Sequence, residues 1–206
     1  KFKYMQLKKL ALVVILFLFT ANLLIAQLSV VKTANGLVEG NIQGKMSIFK
    51  GIPFAAPPIG SFRWKAPQPA IDWKGIRRCT TFSASPFQPK PVPFLCWSEE
   101  FIAPPEPLSE DCLYLNIWTA AKNNKEKRPV FVWIYGGGFS SGSAACAIYD
   151  GEEIAKKGIV FVSINYRVGS FGFMAHPEFS KEQNNASGNY GLMDQVVALQ
   201  WVQKNI

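Results

Sequence analysis

Histidine is almost missing from this chain: among 206 residues, His176 is the only one. A single imidazole excludes a histidine-built metal centre and leaves any nucleophile in the chain with one candidate base. Cysteine is scarce and scattered, at Cys79, Cys96, Cys112 and Cys146, so no pair has the Cys-x-x-Cys spacing of zinc or thiol redox motifs. No Gly-x-x-x-x-Gly-Lys is present, nor a Gly-x-Gly-x-x-Gly opening a helix, which removes the common nucleotide cradles. Beyond residue 26 there is no run of five basic residues. Arg77-Arg78 and Lys125 to Arg128 are broken or flanked by turn-forming residues and read as solvated surface, so a nucleic-acid partner is not expected. No repeat or low-complexity tract occurs either.

Apolar residues are plentiful. With 49% hydrophobic content, the chain can bury the core of one globular domain. At the N-terminus Lys1, Lys3, Lys8 and Lys9 precede an apolar run from Leu10 to Phe19, followed by Thr20, Ala21 and Asn22 and then by Leu23 to Ala26. A basic start followed by a short apolar stretch is the pattern of a secretory signal, with cleavage expected near Ala26. The stretch is short for a membrane span and is broken by Thr20 and Asn22, so no stable insertion is expected once the signal is removed. Removing residues 1–26 takes away four lysines and no acids, and the formal charge falls from +8 to +4. Most of the basic balance therefore belongs to targeting. Export places the four thiols in an oxidising compartment, where they allow three full pairings and a structural disulfide is expected.

Residues 28 to 50 read as short strands joined by turns at Asn35-Gly36 and Gln43-Gly44, a β meander at a sheet edge. Residues 51 to 110 hold most of the fourteen prolines and also Trp64, Trp73 and Trp97. Such a stretch cannot form long helices and predicts an extended, irregular wrapping. A regular alternation follows. Leu113 to Trp118, Val130 to Tyr135 and Val160 to Tyr166 read as strands, and Gly151 to Lys157 as a short helix. From Gly191 to Ile206 the residues Leu192, Val196, Leu199, Val202 and Ile206 form one helical stripe. The pattern is α/β, with a mixed sheet whose C-terminal strand ends carry the site. The chain stops at this helix, so apolar faces of the sheet are expected to lie uncovered.

The chemistry concentrates between Pro129 and Gly142, where a buried-strand pattern runs into Gly136-Gly137-Gly138-Phe139-Ser140-Ser141-Gly142. Three glycines after a strand bring bare backbone N–H groups to a site where negative charge can develop, as an oxyanion hole requires. Gly138 to Gly142 also matches Gly-x-Ser-x-Gly in form. An elbow needs its serine on one tight strand-to-helix turn, and no helical stripe follows Ser140. His176, in Met-Ala-His-Pro-Glu, reads as a surface residue. Ser140 and His176 are therefore not expected to form a nucleophile and base.

Glu110-Asp111-Cys112-Leu113-Tyr114-Leu115-Asn116-Ile117-Trp118 resembles the signature of the type-B carboxylesterases, the cholinesterase-like branch of the α/β-hydrolases. Other segments follow in family order: Gly51-Ile52-Pro53-Phe54-Ala55, Phe62-Arg63-Trp64, the glycine loop, Asn165-Tyr166-Arg167-Val168-Gly169 and Gly188 to Gln195. The resemblance covers about residues 28 to 206. It implies an α/β-hydrolase fold of which residues 27–206 are the N-terminal part, truncated before the nucleophile elbow. The implied function is carboxylic-ester hydrolysis through a serine acyl-enzyme, on a small-molecule ester, without cofactor or metal, in a secreted or periplasmic protein. Gly137 and Gly138 would supply two oxyanion-hole N–H groups, and the serine, acid and histidine would lie beyond Ile206. The alternative within the same fold is a non-catalytic adhesion or binding protein.

By the same resemblance Arg63 would pair with Glu110, and Arg167 with Asp194. The family often bonds the cysteine at the Cys112 position to one in a Pro-x-Cys-x-Gln context, whose matching position here is Pro86. Cys79 or Cys96 would have to substitute, and Cys79 with Cys112 is the favoured pairing. Trp97 stands too far ahead of Cys112 to reproduce the tryptophan spacing with which cholinesterases hold quaternary ammonium, so choline-ester specificity is not implied.

Overall fold

A computed structural model describes residues 28–206, and the export signal read at residues 1–26 lies outside them. The N-terminal strands are β1 (Val30–Thr33), β2 (Gly36–Glu39), β3 (Asn41–Gln43) and β4 (Met46–Pro53). The first turn forms because the Thr33 hydroxyl donates to the Gly36 carbonyl at 2.8 Å and accepts from the Asn35 N–H at 3.3 Å. The expected meander divides between two sheets. β1 and β2 join β5 (Ile76–Arg78) in a small three-stranded sheet, whereas β3 and β4 begin the central one.

The proline-rich stretch is irregular, as its composition predicts. It contains β5, two-residue strands β6 (Ser85–Pro86) and β7 (Leu108–Ser109), and single 3-10 turns at Gly60–Phe62 and Glu99–Phe101. After it come β8 (Tyr114–Thr119), β9 (Val130–Ile134), α1 (Glu152–Ala155) and β10 (Val160–Ile164). Three further helices complete the order: α2 (Gly169–Phe173), α3 (Pro177–Glu182) and α4 (Tyr190–Asn205).

The central sheet has the order β3-β4-β8-β10-β9, antiparallel except for the parallel pair β10 and β9. β10 is buried along its whole length, which suits its continuous Val-Phe-Val-Ser-Ile run. Its alternate residues serve opposite layers. Val160, Val162 and Ile164 pack with Ala198, Trp201 and Val202 of α4, and Phe161 packs with Trp118 and Ala155 of the α1 layer. β9 is the outer strand, and its Val130, Phe131 and Ile134 are exposed.

A buried polar chain crosses the sheet. Register shifts between Phe49 and Ile52 of β4, and at this bulge the Gly51 N–H donates to Asn116 Oδ1 at 3.0 Å. Asn116 Nδ2 donates to Ser163 Oγ at 3.0 Å, and Ser163 Oγ donates to the Ala144 carbonyl at 3.3 Å. One asparagine thus satisfies the bulge and ties three strands to the segment that follows the glycine loop.

The buried face of α4 differs from the expected apolar stripe. Tyr190, Gly191, Asp194, Ala198, Trp201 and Val202 point inward, while Leu192, Val196, Leu199 and Ile206 are exposed. Small residues and one ion pair decide the orientation. A side chain at Gly191 would meet the Arg167 carbonyl and the Phe173 ring, and Asp194 is committed to Arg167.

Both expected ion pairs are present. Arg167 grips Asp194 through Nε at 2.8 Å and Nη2 at 2.7 Å, its own N–H adds a third bond at 3.0 Å, and both side chains are almost fully buried. Burial pushes the Asp194 carboxyl above its usual range against the pull of the guanidinium. Arg63 meets Glu110 in a two-point contact at 2.5 Å, but its side chain is 39% exposed, so this pair belongs to the surface class.

The favoured Cys79–Cys112 bridge is not made, and all four cysteines are free. Cys79 Sγ lies 3.9 Å from the Gly51 carbonyl. Cys112 faces a small cavity that it shares with Pro86, Arg167 and Val168. Both thiols are buried in the same apolar core without being joined, and Pro86 lines the cavity beside Cys112.

Candidate active site

The parallel pair β9 and β10 ends in two loops that meet at one end of the sheet, as expected for a site at the carboxyl ends of strands. Tyr135 and Tyr166 lock the two ends together. The Tyr135 hydroxyl donates to the Tyr166 carbonyl at 2.8 Å, and the Tyr166 hydroxyl donates to the Tyr135 carbonyl at 2.9 Å. The rings stack with centroids 4.4 Å apart. Burial shifts the titration of both phenols upward, Tyr135 well above the ordinary range, so each stays a neutral donor. The Gly136 loop therefore leaves a rigid base.

Gly137 and Gly138 have φ of 125° and 60°, and Phe139 has a φ of 62°. A side chain at Gly137 would run into the Ser141 carbonyl, so only glycine fits there. The Gly137 carbonyl turns inward to accept from the Ser140 N–H at 3.1 Å, the Ser141 N–H at 3.3 Å and the Ser140 hydroxyl at 2.9 Å. The Gly169 N–H donates to the Phe139 carbonyl at 2.7 Å and holds the middle of the loop. Among the described residues, the N–H groups of Gly137 and Gly138 have no acceptor, and both glycines are exposed. Two free N–H donors on a braced turn can stabilise an oxyanion.

The Ser140 hydroxyl is committed to the Gly137 carbonyl, and the chain beyond it runs through a turn into the single 3-10 turn Ala147–Tyr149 instead of a helix. His176 caps α3, its Nδ1 accepting from the Glu178 N–H at 3.3 Å, and its ring lies against Phe179. Neither residue has the other as a hydrogen-bond partner. The glycine loop lines a groove of about 1060 Å³ whose other walls include Phe94, Trp97, Phe101, Trp133, Cys146 and Tyr149. Burial pushes the Cys146 thiol up to about 11, so it lines the groove as a neutral group. Among the described residues, no three His, Cys, Asp or Glu side chains converge as a metal site, and no helix is long and apolar enough to cross a membrane.

Several supports of the loop escape a reading of the sequence. Asn165 Oδ1 accepts from the Ala144 N–H at 2.8 Å while its Nδ2 donates to the Ala84 carbonyl at 3.2 Å. Ser85 and Ser143 meet through their hydroxyls at 2.9 Å. Asn165 and Tyr166 stand in a motif that draws attention by resemblance, but Ser85 and Ser143 carry no signal, since serines without spacing are common in loops.

A central mixed sheet, helices on both faces and a braced glycine loop at the strand ends define the N-terminal portion of an α/β-hydrolase fold. The chain belongs to the Carboxylesterase family, whose profile matches residues 27–206. It is 47% identical over 178 residues to fumonisin B1 esterase of Sphingopyxis macrogoltabida, covering 84% of this chain and 31% of that protein. Cholinesterase of Mus musculus is 43% identical over 183 residues, covering 86% of this chain and 30% of that one. Among solved structures, a PNB esterase and a thermophilic PNB esterase each superpose with a TM-score of 0.75 at 35% identity, covering 86% of this chain and 35% of theirs. The chain thus spans about a third of the length of the relatives it matches.

Proposed function

We propose that residues 27–206 are the N-terminal part of a secreted or periplasmic carboxylic-ester hydrolase in which Gly137 and Gly138 supply two oxyanion-hole donors. The observation that carries this reading is the pair of unpartnered, exposed N–H groups, held on a braced turn at the C-terminal end of β9 beside a large groove. The serine, its histidine and the acid belong to sequence beyond Ile206. In the reaction the serine oxygen attacks the ester carbonyl while the histidine takes its proton. The carbonyl oxygen becomes an oxyanion that accepts from Gly137 and Gly138. Collapse expels the alcohol, which receives the proton, and water then hydrolyses the acyl-serine by the same steps. No step calls for a cofactor. A small-molecule ester is the substrate, and the apolar, aromatic walls of the groove suit its organic portion.

The test is hydrolysis of a short-chain nitrophenyl ester by the full-length protein, with serine labelling by an organophosphonate. Turnover with one labelled serine is the expected result. A protein that neither hydrolyses the ester nor takes the label would instead be the binding member of the fold. In the same assay Gly137→Ala, which disturbs one donor and collides with the Ser141 carbonyl, should lower kcat by about 100- to 1000-fold.

A further inference from the structure

The glycine loop starts at the tyrosine lock, but its far end is held by a residue from the proline-rich segment. Gln88 is only 6% exposed. Its Oε1 accepts from the Gly142 N–H at 2.8 Å, and its Nε2 donates to the Gly142 carbonyl at 2.8 Å. The carboxamide therefore pairs with both backbone groups of one residue, as a neighbouring strand would. A second bond from Nε2 to the Pro86 carbonyl at 2.9 Å fixes the side chain in turn. All of the polar capacity of the amide except one lone pair is committed.

Gly142 closes the loop. Its φ is 130°, and a side chain there would strike the Tyr135 ring, so the last residue of the loop lies against the one that precedes Gly136. Ser140 and Ser141, immediately before it, donate their N–H groups to the Gly137 carbonyl. That carbonyl and the Gly138 N–H belong to the same peptide plane. A shift of Gly142 is therefore carried through Ser141 to the Gly137–Gly138 peptide and rotates the donor. The neighbouring Ser85–Ser143 contact keeps the two segments in register but touches neither end of the loop.

We infer that Gln88 is a positioning residue for the Gly138 donor of the glycine loop, acting through Gly142. This rests on the esterase reading above. Gln88 also lines the groove, but only 6% of its surface is exposed and its amide is committed to Gly142 and Pro86, so it is assigned no contact with the reacting atoms. Its loss should therefore weaken stabilisation of the transition state far more than binding of the ester.

The experiment uses the full-length protein, with Gln88→Ala and Gln88→Glu compared with wild type on a nitrophenyl ester, rates being expressed per phosphonate-titrated serine. Gln88→Ala should lower kcat by about 10- to 100-fold with KM within about 3-fold of wild type. Affinity for a trifluoromethyl ketone, which mimics the tetrahedral oxyanion, should fall by the same factor. Gln88→Glu supplies the readout that a merely structural role would not move. When neutral, the introduced carboxyl can donate to the Gly142 carbonyl and accept from the Gly142 N–H. When ionised, it faces the Gly142 and Pro86 carbonyl oxygens without a proton. The ratio of Gln88→Glu to wild-type kcat should therefore be highest at the lowest usable pH and fall as pH rises. If Gln88→Ala does not fold, this ratio decides alone. A kcat per serine equal to wild type in Gln88→Ala, a raised KM with unchanged kcat, or a flat Gln88→Glu ratio would overturn the proposal. An inactive, unlabelled wild type would instead overturn the esterase reading itself.

Discussion

Cys96 sits exposed on the proline-rich segment, whereas Cys79, Cys112 and Cys146 are buried. Burial pushes the Cys79 and Cys146 thiols up to about 11. Cys112 is driven well above the ordinary thiol range, first by burial and then by the nearby Asp194 carboxylate. Reactivity follows the thiolate fraction and access, so the four should separate into one and three. With a disulfide-exchange reagent and peptide mapping, Cys96 is expected to label in the native protein. The other three should label only in denaturant, and all four should do so without added reductant. A loss of Cys79 and Cys112 together from the unreduced, denatured sample would restore the bridge that the structure lacks. Individual residues also differ in how far the sequence betrays them. Gly137 stands out because three glycines follow an apolar strand, whereas Gln88 stands out only as the glutamine of the Pro-x-Cys-x-Gln resemblance in which Pro86 takes the cysteine's position. Its contact with Gly142 spans 54 residues, and no local pattern foretells that meeting.

Among the elements, β8 and β10 follow their apolar runs closely and are buried along nearly their whole length. β9, just as apolar, is the outer strand and leaves Val130, Phe131 and Ile134 exposed, and the buried face of α4 is not its apolar stripe. A stripe of leucines and valines outweighs an aspartate and an alanine on any hydropathy count, yet Asp194 and Ala198 face the sheet. The Arg167–Asp194 pair explains this, since it joins the end of β10 to the first turns of α4 and leaves the apolar stripe on the other side. Arg167 also donates to the Lys65 carbonyl at 2.9 Å, so the pair ties in the proline-rich segment as well. Replacing one member strands the other. Asp194→Asn should therefore lower the stability of the full-length protein by about 3–5 kcal/mol, read from the urea midpoint. Disruption of the solvated Arg63–Glu110 pair by Glu110→Gln should move the same midpoint far less, although both pairs look alike in sequence. Equal shifts would mean that burial does not separate them.

At the scale of the molecule, the apolar residues left outside are those a larger assembly of elements would use. Leu192, Val196 and Leu199 are 41%, 53% and 43% exposed along one side of α4, and the outer strand β9 shows Val130, Phe131 and Ile134. A patch of this kind on a single chain marks an interaction surface. On the proposed reading the occupant is the remainder of the same esterase, since the chain spans about a third of its relatives. The sign of a substitution then depends on what surrounds it. In the full-length protein, Val196→Lys with Leu199→Lys should expel two covered side chains and lower stability by about 1.5–3 kcal/mol for each, shifting the urea midpoint down. In residues 27–206 expressed alone, the same pair removes exposed apolar surface and should raise the soluble yield and reduce binding of a hydrophobic dye. An unchanged midpoint in the full-length protein would mean that α4 faces solvent there too, and the stripe would then need another partner. Opposite signs in the two contexts would show that the helix turns its polar and small residues to the sheet because its apolar side is already committed elsewhere.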